Sequence, residues 1–144
     1  MSDAQLATIE SLLQHSSKMD FGPTKALVTD DYIHYIAPAS LGAFGHPDGF
    51  SWDDIIGFGK TFYADYKSLE YGPMKDVVRG TDCIAFWYES VGTLHDGKKI
   101  KGESMNIYHF QPGTALLKKG IVMTDSLRLY KTAEQMGKAL PYHE

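Results

Sequence analysis

Between Leu69 and Thr124 the chain is divided into strand-length stretches by short turn signals, and this constrains the fold more than anything else in the sequence. The stretches are Leu69–Arg79, Cys83–Leu94, Lys99–Phe110 and about Leu116–Thr124. Gly80–Asp82, Asp96-Gly97 and Pro112–Thr114 separate them. An Asp-Gly pair between two alternating segments is a strong hairpin signal, because it suits a tight turn. Four such strands in succession predict an antiparallel meander. Strands of this length twist, so the sheet is expected to curl.

Helices come earlier. Ser2 and Gln5 have capping-box spacing, and Leu6, Ile9, Leu12 and Leu13 follow at helical intervals, which predicts a helix over Asp3–Gln14. A short helix is expected from Pro23, and Asp31–Ile36 reads as a strand. A loop rich in Gly and Pro runs from Ala37 to Phe50. Ser51 and Asp54 then cap a helix over Trp52–Asp65 with Ile55, Phe58, Phe62 and Tyr66 on one face. A strand end and a last short helix are expected over Asp125–Met136. Helices gathered against one face of a sheet make an α+β domain, here a cone with a curled antiparallel sheet around N-terminal helices. With 144 residues and no repeat or linker, residues 1–144 are expected to form a single domain.

Composition excludes several functions. A net charge of −4 argues against a nucleic-acid surface. No apolar run is long enough to span a membrane. One cysteine, Cys83, and the lack of a signal-peptide pattern fit a reducing, cytoplasmic setting. The six histidines lack a close zinc-ligand spacing, and the glycines fit no phosphate or dinucleotide loop, so neither metal nor cofactor is expected.

A two-residue Asp96-Gly97 turn places Trp87 opposite Asn106, Glu89 opposite Ser104 and Ala85 opposite Tyr108, all on one face. Ile84, Phe86, Tyr88, Met105, Ile107 and His109 then share the other face. The second face is the more apolar, and the residues alone leave open which one meets the core. Asp125, at a strand end, is either an acid/base group or a helix cap. His34 is either a proton-exchanging group or a satisfied strand histidine. Asn106 can hold a carbonyl or enolate oxygen by its amide, or be a buried amide bonded to backbone. Tyr35, Tyr63, Trp87, Glu89, Ser104 and Tyr108 complete the candidate site as substrate-binding residues, each with a packing or solvated alternative.

The segments Asp30–Gly45, Ser51–Tyr71, Val77–Gly97 and Met123–Gly137 together resemble the SnoaL-like family of the nuclear-transport-factor-2-like superfamily, over essentially the whole chain. Fungal members of that family include isomerases and hydrolases of meroterpenoid pathways. They often carry Asn-Glu-Tyr and Glu-x-x-Asp-Ser, where this chain has Asn106-Ile107-Tyr108 and Val122 before Asp125-Ser126. Ser104-Met105-Asn106 also resembles the Ser-x-Asn of scytalone dehydratase. The resemblance implies a cone-shaped α+β barrel with Asn106 in the pocket and Asp125 as acid/base. It implies a hydrophobic oxygenated small molecule as partner and cyclisation, isomerisation, dehydration or hydrolysis as the reaction. A non-catalytic binding or interaction domain of the same fold is the alternative. The resemblance further implies a homodimer through the outer sheet face, expected to use some of Phe86, Tyr88, Met105 and Ile107.

Overall fold

The computed structural model describes residues 3–37, 46 and 48–124. Helix α1 (Asp3–Ser17) is followed by a 3₁₀ helix (Gly22–Leu27), strand β1 (Val28–Ala37) and helix α2 (Trp52–Phe62). Strands β2 (Tyr66–Tyr71), β3 (Lys75–Gly80), β4 (Cys83–Leu94), β5 (Lys99–Phe110) and β6 (Leu117–Thr124) complete the described chain. The helix expected after Asp125 lies outside the described residues. Among those residues, no helix is long and apolar enough to cross a membrane.

The strands form one curled sheet in the order β1-β6-β5-β4-β2, with β3 also on β4. This is the expected α+β cone, with its strand arrangement corrected. The sheet is mixed, because β1 lies parallel to β6 while the other pairs are antiparallel. The expected strand Leu69–Arg79 is broken into β2 and β3 around Gly72-Pro73. Pro73 has no N–H to offer a ladder. The two pieces pair in turn with β4, β2 along Ser90–Leu94 and β3 along Cys83–Trp87.

Polar anchors seat the helices. Gln5 Nε2 in α1 donates to Asp82 Oδ1 (3.0 Å) and to the Thr114 carbonyl (2.8 Å), and Thr8 Oγ1 donates to the Ala115 carbonyl (2.9 Å). These bonds tie α1 to the β3–β4 and β5–β6 turns while Ile9 enters the core. Ser51 Oγ accepts from the Asp54 amide (3.2 Å) and so starts α2 where capping chemistry predicts.

The β4–β5 hairpin corrects the expected register by one residue. The Gly97 amide donates to the Leu94 carbonyl (2.9 Å), and the Leu94 amide donates to the Lys98 carbonyl (2.9 Å). Only Gly97, at φ +88°, takes positive φ in this turn. The turn therefore holds three residues, His95, Asp96 and Gly97, with the glycine as its left-handed position. A two-residue type I′ turn would need positive φ at Asp96 as well. Phe86 thus pairs with Asn106, Tyr88 with Ser104 and Ile84 with Tyr108. A one-residue slip exchanges the two faces of one strand relative to the other. Phe86 and Tyr88 are consequently buried in the interior, which removes them from the expected dimer surface. Trp87 and Glu89 move to the outer face.

Candidate active site

The inner face of the sheet and helix α2 enclose a cavity of about 200 Å³. β1 contributes Tyr32, His34 and Ile36, β4 contributes Tyr88, and β5 contributes Ser104, Asn106 and Tyr108. Val122 and Thr124 come from β6, and α2 closes the space with Trp52, Ile55, Ile56 and Phe58. A smaller annexe of about 90 Å³ shares Phe62, Tyr63, Tyr88, Ser104 and Thr124 with this cavity.

Strand alternation positions the polar groups. His34 follows Tyr32 by two, so both side chains face inward. The backbone of His34 is held from two sides, by pairing with Gly120 of β6 and by a bridge to Phe50 (2.9 and 2.8 Å). Its Nδ1 lies 2.8 Å from the Tyr32 hydroxyl. Burial pulls the His34 pKa down to about 4, so the ring is neutral at pH 7. The expectation of a histidine titrating near neutrality is revised accordingly. Burial also raises the Tyr32, Tyr88 and Tyr108 hydroxyls above their ordinary pKa, and a neighbouring tyrosine raises the last two further. All three are protonated hydrogen-bonding groups at pH 7.

Asn106 is 1% exposed. Its Nδ2 donates to the Ser104 carbonyl at 3.4 Å, a long bond that leaves donor capacity. Ser104 and Asn106 stand beside the Tyr88 hydroxyl and offset part of the rise that burial causes. Five of the expected site residues therefore gather here: His34, Asn106, Tyr63, Ser104 and Tyr108.

Three others stand elsewhere. Trp87 is on the outer face, where its Nε1 donates to Asp76 Oδ2 (2.6 Å) beneath the Lys75 ammonium. Glu89 accepts from Lys75 Nζ (3.1 Å) on the same face. Both displacements follow from the three-residue turn. Tyr35 is out of phase with Tyr32 and His34, and its ring meets Lys119 Nζ at 5.2 Å. Asp125 lies outside the described residues, although Thr124, directly before it, lines the cavity. Sequence reasoning missed Tyr88 as a site residue because of the same register error. It also missed Trp52, whose position at the start of α2 carried only a packing signal. Among the described residues, no group of three or more His, Cys, Asp or Glu could hold a metal ion.

Neither a scan of protein-family models nor a search of curated proteins finds a match to this chain. Solved structures do match over nearly its whole length. The BvnE pinacolase of Penicillium brevicompactum is 20% identical with a TM-score of 0.75, and the match covers 94% of this chain and 95% of BvnE. PrhC of Penicillium brasilianum is 14% identical with a TM-score of 0.77, covering 94% and 91%. IdmH of Streptomyces antibioticus, a candidate polyketide cyclase, is 16% identical with a TM-score of 0.72, covering 90% and 98%. The chain has the SnoaL-like, nuclear-transport-factor-2-like fold that its sequence resembles.

Proposed function

We propose that this protein is an enzyme of small-molecule metabolism that moves protons on a hydrophobic, oxygenated substrate held inside the cone. The carrying observation is the meeting of His34, Asn106, Ser104 and Tyr88 from three strands in one largely apolar cavity. Hydrogen-bond donors fixed in such a space stabilise developing negative charge on oxygen more than water does. The activities named for BvnE and IdmH support the same reading.

In this proposal Asn106 Nδ2 and His34 face a substrate carbonyl oxygen. Asp125 removes a proton from the adjacent carbon, the electron pair moves onto the oxygen, and the acid returns its proton at the next reactive position. That sequence serves isomerisation directly and cyclisation or dehydration with a following bond change. No cofactor is required for it. The cavity exceeds the roughly 150 Å³ that admits benzene, so one substituted ring fits, with a polar substituent reaching the annexe.

The test uses purified protein in D₂O with a panel of hydrophobic cyclic ketones. Exchange next to the carbonyl, read by NMR, should run at least tenfold above the protein-free rate for some members. Compounds that bind without any accelerated exchange would favour the second reading, a non-catalytic binding protein. One observation speaks for it: among the described residues, no carboxylate lines the main cavity.

The homodimer belongs to this proposal as well. On the outer face, Tyr35, Ile121, Ile107, Ala85 and Val78 pair in sequence across five strands, with Met123, Met105 and Trp87 in the next row. Val78, Met105 and Met123 are exposed. Such a face is uncommon on a monomer, and a second copy related by a two-fold axis would cover it.

A further inference from the structure

Tyr32 is 3% exposed and carries one hydroxyl proton. Its hydroxyl has a single hydrogen-bond partner among the described residues, Nδ1 of His34 at 2.8 Å. Both groups sit side by side on β1, so either one can be the donor on distance alone. The number of protons decides between them. If Nδ1–H donated to the phenol oxygen, the phenol proton would be left buried without an acceptor. Leaving a buried donor orphaned disfavours a state by roughly tenfold to a hundredfold. If the phenol donates to Nδ1, every proton is placed. The ring proton then sits on Nε2, which has no partner among the described residues and is not among the enclosed, unsatisfied atoms. His34 lines the cavity, and with Nδ1 taken by Tyr32 it is Nε2 that remains to serve it.

The backbone around the pair is shaped for this contact. Gly120 stands between His34 on β1 and Tyr108 on β5. A Cβ at that position would overlap the Tyr32 hydroxyl and come within 3.0 Å of both His34 Nδ1 and Tyr108 Cε1. The missing side chain is what gives the hydroxyl its place beside the ring.

We propose that Tyr32 is a positioning residue that locks His34 in the Nε2–H tautomer, so that the imidazole meets the cavity as a neutral hydrogen-bond donor and not as a base. The donor's target, a substrate oxygen, rests on the function proposed above; the tautomer itself does not. In that role the N–H of His34 joins the Asn106 amide at one oxygen, and proton removal falls to another group.

The test is a long-range ¹H–¹⁵N correlation spectrum of the uniformly labelled full chain, without ligand, at pH 7.5. His34 Nδ1 should resonate as an unprotonated ring nitrogen and Nε2 as a protonated one, with at least roughly 90% of the population in that form. The reverse pattern, or an averaged mixture, in the wild-type protein overturns the proposal. Tyr32→Phe keeps the ring that packs edge-on against Trp52 at 5.9 Å and removes only the hydroxyl. It should convert the spectrum to a mixture of tautomers, and an unchanged pattern in that variant also overturns the proposal. The spectrum is read without substrate. Failure here removes His34 as a donor but leaves proton transfer with Asn106 and Asp125 standing, and failure of the deuterium exchange leaves the tautomer standing.

Discussion

Burial of His34 makes stability depend on pH in a way that can be worked out beforehand. The ring has a pKa of about 4 in the folded chain, against about 6.5 when unfolded. Between those values the unfolded chain takes up a proton that the folded chain refuses, so stability falls as pH falls through this window. The full difference is worth ~3 kcal/mol, fully present above pH 6.5 and lost by about pH 4. By pH 5 the loss from this residue is about 2 kcal/mol. Urea unfolding of wild type and His34→Gln at pH 7.5, 6 and 5 isolates it, because the other titrating groups cancel in the comparison. Wild type should lose about 2 kcal/mol more than the variant between pH 7.5 and 5. Parallel pH profiles, or a His34 pKa above 6 by NMR titration, would refute the reasoning.

Asp125→Asn should lower proton transfer by roughly 10²–10⁴-fold with little change in ligand binding, measured by deuterium exchange on a responsive ketone; an unchanged rate would leave Asp125 as a helix cap. Trp87→Phe should leave ligand affinity within about twofold and cost about 1 kcal/mol of stability through the lost bond to Asp76, because Trp87 is outside the cavity. Gly97→Ala should cost about 1–2 kcal/mol in urea unfolding from its positive φ alone, since a Cβ there meets no atom within 4 Å. Sedimentation should show wild type as a dimer at high micromolar concentration, and the Met105→Glu, Met123→Glu double variant as a monomer with its cavity intact.

Much of the architecture is written in local chemistry. Ser51 and Asp54 announce the start of α2, and the bounds of β4 and β5 follow from their apolar runs and the Asp-Gly between them. The register across that turn is not local in the same way. Asp96-Gly97 suits a two-residue turn and a three-residue one, and the difference lies in the sign of one φ. That single residue decides whether Trp87 and Glu89 or Phe86 and Tyr88 face the cavity. The parallel pairing of β1 with β6 was illegible because strands so far apart in sequence leave no shared local signal. His34 was legible as a candidate from its place in a strand. Its partner Tyr32 was legible from alternation. The low pKa of His34 was not, because it comes from α2 and distant strands closing over the ring. Gly72-Pro73 is a turn-type pair inside the expected strand Leu69–Arg79, and the break into β2 and β3 falls there.

A crystal structure of the chain with a hydrophobic cyclic ketone that it binds tests the cavity most directly. The carbonyl oxygen should sit within hydrogen-bond distance of both Asn106 Nδ2 and His34 Nε2, with the ring against Trp52 and Ile55. A ketone seated instead in the separate groove lined by Leu6, Glu10 and Leu13 of α1 and by Val77 and Arg79 of β3, or turned with its carbonyl toward the apolar wall of α2, would contradict the proposed site.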